Sequence, residues 1–142
     1  MITQILRRLQ RQQELKKNWL AFYAEVNKNL EAYYVMFQLD KLRSFHLDVW
    51  KKIKGDTEIS FASDVRRYIE ILSDYNQTLK SFKDYEQWYV ADLGNKIPEN
   101  GRILHAKKEE AAKKFQGLEE IIKRAQKSVQ EQMASLRILK GS

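Results

Sequence analysis

From residue 2 to residue 54 the chain contains neither glycine nor proline. A stretch that long, without a residue suited to a tight turn, is read as one long helix. The breakers come later and in groups. Gly55 interrupts "KIKGDTEIS", and Gly94, Pro98 and Gly101 crowd "DLGNKIPENGR". Gly just past a helix, with Pro soon after, is a stop signal. The punctuation therefore predicts three helices, at about 2–54, 58–94 and 101–140, with Asp56 or Thr57 capping the second and Asn100 the third. No segment shows the alternation of a strand bounded by turns. Gly117 falls inside the third helix, where it serves as a bend, as a site of close helix approach, or simply as a tolerated surface glycine.

The apolar spacing agrees with helices in a bundle. Val65, Tyr68, Leu72, Tyr75, Leu79 and Phe82 recur at steps of three and four, as do Phe115, Leu118, Ile122, Ala125 and Val129. Leu15, Trp19, Phe22, Val26, Leu30, Tyr33 and Phe37 follow an 11-residue repeat, the spacing of a straighter or right-twisting helix. Short connections make successive helices antiparallel neighbours. The expected fold is all-α, an elongated, coiled-coil-like, up-down-up antiparallel three-helix bundle. Its expected layers are Leu30–Phe82–Phe115, Phe37–Tyr75–Ile122 and Phe45–Tyr68–Val129. Phe37, Tyr75, Phe82, Phe115 and Ile122 should be buried together.

The first helix is too long for this arrangement. At about 1.5 Å per residue it exceeds its partners by on the order of 20–25 Å. Residues 1–17 then form a basic amphipathic extension to a bundle of residues 18–140. Alternatively the helix breaks, with "EVNKN" at 25–29 the favoured point, and gives a fourth helix. Within the extension, Ile2, Ile5, Leu6 and Leu9 share one helical face.

Charge bears on partners. The net charge of +7 is uneven: residues 1–55 carry 11 Lys/Arg against 5 Asp/Glu, residues 56–98 carry 5 against 8, and residues 99–142 carry 10 against 6. Two basic segments flank an acidic one, which favours their packing and leaves a surplus for an acidic partner. With 43% hydrophobic residues the chain can build a core, and with no cysteine it offers no disulfide, thiol or zinc-finger chemistry. No apolar run reaches membrane-spanning length, and the N-terminus lacks the core of a secretory signal. A cytoplasmic setting is the expectation.

Little points to catalysis. His46 and His105 lie far apart and neither has metal-ligand spacing. Glu109–Lys113, Glu110–Lys114, Glu119–Lys123 and Glu120–Arg124 read as i,i+4 pairs on solvated faces. There is no phosphate loop or nucleophile elbow. No catalytic residue, metal or cofactor is expected. Trp19, Phe22, Tyr23, Tyr85, Trp88 and Tyr89 are expected at one end of the bundle, with Tyr23 and Trp88 beside the core stripe as an exposed hot spot. The basic clusters lack a nucleic-acid reader motif, so nucleic acid ranks low.

The chain thus reads as a non-enzymatic interaction or scaffold module. It self-associates or docks another helical protein through Ile2, Ile5, Leu6 and Leu9, with Arg7, Arg8 and Arg11 setting the partner's charge. The second reading is peripheral membrane binding by the same segment.

Overall fold

A computed structural model describes residues 2–56, 58–91 and 93–138, without the side chains of residues 93 and 94. Thr57, one of the two expected caps, lies outside the described residues. The described residues form helices α1 (Ile2–Leu39), α2 (Asp48–Ile53), α3 (Ser63–Ala91), α4 (Pro98–Phe115) and α5 (Leu118–Ser135), with a 3-10 turn at Leu93–Lys96 and no strand. The all-helical expectation holds.

The boundaries differ in two informative places. The first helix stops at Leu39, because Asp40 takes a left-handed conformation with φ of 49°. The Lys41 N–H then donates to the Met36 carbonyl, closing the turn that normally ends on glycine. Asp adopts this conformation at modest cost, so a search for glycine passes it by. Gly117 resolves the open choice as a bend. With φ of 82° it separates α4 from α5, and a Cβ placed there would meet nothing within 4 Å. Backbone conformation, not space, is what selects glycine here.

The up-down-up order is replaced by a different topology. Phe22 packs on Phe61, Asn29 bonds Tyr68, and the Tyr75 hydroxyl lies near the Met36 sulfur. Each pair is separated by 39 residues. A constant offset means that α1 and α3 run parallel. Residues 40–62 make the return journey as an irregular strap that includes α2. The second half then descends antiparallel to α3, with Lys107 on Ser81, Lys114 on Thr78 and Ser128 on Asp64. Of this half, α5 packs on both α1 and α3, whereas α4 packs on α3.

The strap requires partners for its backbone, because a buried, unpaired N–H or C=O is costly. Four side chains supply them. The Glu25 carboxylate, on α1, accepts from the N–H groups of Val49 and Trp50 at 3.0 and 3.3 Å, satisfying the start of α2. Asn29 donates to the His46 carbonyl (2.8 Å) and to the Tyr68 hydroxyl (2.7 Å), and accepts from the His46 N–H (2.9 Å). Asn76, on α3, makes the equivalent two-way bridge to Phe45. Gln132, on α5, accepts from the Ala62 N–H and donates to the Ser60 carbonyl. Glu25 and Asn29 are the buried polar residues of the core. Helix α1 therefore continues unbroken through residues 25–29, and Asn29, expected at a break, is a pin instead.

The new register changes the layers. Tyr75, Phe82, Phe115 and Ile122 are buried, but Phe37 is 69% exposed. Phe115 stacks on Tyr33 (centroids 4.7 Å apart) and lies 6.1 Å from Tyr75. Phe45 packs on Tyr75, and Tyr68 packs on Phe22. Tyr33 takes the place assigned to Phe37, one turn earlier in the helix, because α1 is held parallel to α3 by the strap.

Candidate functional site

The expected partner-binding segment is the first quarter of α1. Residues 2–10 are exposed throughout, and Ile2, Ile5, Leu6 and Leu9 are between 50 and 76% exposed. Successive helical residues advance by about 100°, so this stripe lies about 130° around α1 from the buried line of Trp19, Phe22, Val26, Asn29 and Tyr33. The buried line itself turns polar toward the N-terminus: beyond Leu15 it continues as Arg11, Arg8 and Gln4. The apolar face thus changes sides along one continuous helix. A longer bundle of the same kind would not cover it.

Arg11 marks the changeover. Its guanidinium pairs with Asp56, with Glu58 at 2.9 Å and with Glu14 at 3.1 Å, fastening the end of the strap to α1. These contacts hold the Asp56 carboxyl below the usual carboxylate range, chiefly through its hydrogen bond from Arg11 and then through the Glu58 N–H. Arg11 is therefore engaged within the chain. Arg7 and Arg8 are exposed, on the helix face away from the stripe. Gln10, Gln12 and Gln13, which are neutral, flank the stripe, and Lys16 follows one turn beyond Gln12 on the same face.

The Arg11 contact carries a pH dependence of defined sign. A carboxyl depressed in the folded state contributes stability above its unfolded value of about 3.9, lost as pH falls through the lower folded value. The Asp56 side-chain resonance should titrate with a midpoint below about 3.9, and the Arg11 Nη–H resonance, which reports the donor to Asp56, should move with it. Asp56→Asn should remove that movement of the Nη–H resonance, while the Nε–H, which donates to Glu58, still responds to acid. An Asp56 midpoint at or above the unfolded value would contradict the contact.

The aromatic cluster is divided by the parallel topology. Trp19 and Phe22 pack on Phe61 at the strap end. Tyr85 and Trp88 sit together at the far end of α3, 5.3 Å apart, with the Lys107 ammonium over the Tyr85 ring. Trp88 is 43% exposed, whereas Tyr23 is half-buried and accepts from Gln130. The proposed pair of hot-spot residues is thus not brought together. His46 and His105 are both exposed, His105 beside Glu109 at 3.0 Å. The ion pairs Lys123–Glu119 and Arg124–Glu120 form as expected, while Lys114 lies closer to Asp74 than to Glu110. Among the described residues no group of three or more His, Asp or Glu is placed to hold a metal ion, and no helix is long and apolar enough to cross a membrane.

The spacing of apolar residues could not reveal a second feature, a cleft of about 490 Å³ where α1 ends beside α3 and α4. Here α4 packs chiefly on α3, whereas α5, beyond the bend at Gly117, packs on both α1 and α3. No known protein family matches this chain, and no curated protein or solved structure is detectably similar to it.

Proposed function

We propose that this protein is a helical interaction module that self-associates through the N-terminal stripe of α1. The observation that carries this reading is the change of apolar face along a continuous helix: Ile2, Ile5, Leu6 and Leu9 face away from the bundle that α1 otherwise helps to build. Burying one such side chain is worth about 1.5–3 kcal/mol. A second copy is the favoured partner on charge. Arg7 and Arg8 lie off the seam and Arg11 is internally paired, so two stripes meet across a rim of glutamines, and an antiparallel pairing keeps the two copies of Lys16, one turn past Gln12 on the same face, apart. Ile2, Ile5, Leu9 and Gln12 have the 3-4-3 spacing of a short coiled-coil seam. Four apolar residues are few beside the roughly 20–30 per side of a stable interface, so the association is weak and concentration-dependent.

The test is the solution mass by light scattering across a concentration series. The mass of the wild-type chain should rise with concentration, and that of Ile5→Glu/Leu9→Glu should stay at the monomer value. Both positions are exposed, so helicity should be unchanged. A wild-type chain that remains monomeric at its highest soluble concentration would overturn self-association. The membrane reading is separated by pelleting with anionic vesicles: salt-sensitive pelleting of the wild type, lost in the double variant, would assign the same stripe to a lipid surface.

A further inference from the structure

We infer that the cleft between the end of α1, α3 and α4 is a binding site for a free single-chain amphiphile with an anionic head, of the long-chain carboxylate class. Its wall is a stack of rings: Phe37 lies on Tyr33 (6.3 Å, interplanar angle 18°) and Tyr33 on Phe115 (4.7 Å, 20°). Leu79 and Phe82 of α3 form the facing wall and Met36 contributes to the lining. Phe37 stands 69% exposed at the edge, an unusual position for a ring that continues an aromatic stack. A volume of about 490 Å³ falls within the range of small-molecule sites.

Charge at the cleft selects the head group. Lys41, Lys83 and Lys108 line it against Asp40 and Glu86, and among the described residues none of the three lysines is in a salt bridge. An apolar chain among the rings would leave its anionic end near uncommitted ammonium groups. The same surplus disfavours a second copy's N-terminal helix as occupant, because that helix carries Arg7, Arg8, Lys16 and Lys17 against one acid, Glu14. Gly117, at the bend between α4 and α5, follows directly on Phe115 and Gln116 of the lining.

Calorimetric titration of the full chain with dodecanoate, below its micellar concentration, tests the inference. One molecule per chain should bind. Octanoate, four methylenes shorter, should bind at least about 20-fold more weakly, since each buried methylene is worth about fourfold and two of the four suffice for nearly all of that loss. Dodecyltrimethylammonium, with the same chain and opposite charge, should bind at least tenfold more weakly than dodecanoate. Ala112→Trp, an exposed α4 position lining the cleft, should reduce dodecanoate affinity at least tenfold with helicity retained. Lys83→Glu/Lys108→Glu, also at exposed positions, should do the same without filling the space. Equal binding of the two head groups, or binding indifferent to both variants, would overturn it. So would the absence of saturable binding, and in that case a change of solution mass in Ala112→Trp would mark the cleft as a protein interface. The stripe variant Ile5→Glu/Leu9→Glu should bind dodecanoate normally, so this inference and self-association fail independently.

Discussion

Truncating Phe22 to alanine should lower the free energy of unfolding by about 3–5 kcal/mol, and truncating Phe37 should lower it by less than about 1 kcal/mol. Phe22 is fully buried and touches Trp50, Phe61 and Tyr68, so its removal leaves a cavity where α1, the strap and α3 meet. Phe37 keeps one face on Tyr33 and the other in solvent. The pair of values distinguishes the parallel topology from an up-down-up bundle, in which Phe37 would occupy a central layer. Urea unfolding of the two variants measures both. A large loss for Phe37 would point to the antiparallel register, and a small one for Phe22 would contradict its packing under the strap.

Asn29→Ala should cost about 2–4 kcal/mol, because it leaves the buried Tyr68 hydroxyl and the part-buried His46 N–H and carbonyl without their partner. Its near neighbour Asn27 only accepts a bond from Gln126 at a half-buried position, and Asn27→Ala should cost less than about 1 kcal/mol. The loss in Asn29→Ala should also be local before it is global. Amide exchange should quicken first at His46, with the α1 amides protected until the whole chain unfolds. If His46 exchanged no faster in the variant than in the wild type, the asparagine would not be what holds the strap.

The strap is why the spacing of a helical chain does not predict its topology. Residues 40–62 carry apolar side chains at Leu42, Phe45, Leu47, Ile53 and Ile59, which on spacing alone can be appended to a helix. Their burial against α1 and α3 comes from an irregular backbone, stabilised by Glu25, Asn29, Asn76 and Gln132 from three other helices. Nothing local to the strap announces those partners. Asn29 looked like a weak breaker because its intrinsic helix propensity is low. Buried and bridging two elements, it stabilises the place where a break was expected. The stop at Asp40 was hidden for a related reason: the left-handed turn is inexpensive for aspartate, and glycine was the signal sought.

The candidate site divides in the same way. The stripe of Ile2, Ile5, Leu6 and Leu9 follows from spacing alone, as does its separation from the apolar line that begins at Leu15. Helical character, the apolar faces of α1, α3 and α5, and turns near Gly55 and Pro98 are all properties of local residue types, and the sequence by itself determined them, whereas the bend at Gly117 was one of three open choices until its φ of 82° was seen. Only the tertiary structure decided that α1 and α3 run parallel, that Arg11 is spent on Asp56 and Glu58, and that α4 parts from α1 to open a cleft. Those outcomes depend on pairings between residues tens of positions apart. Several registers of the same apolar stripes bury similar area, and the choice among them falls to a few polar contacts that satisfy backbone groups in only one of them.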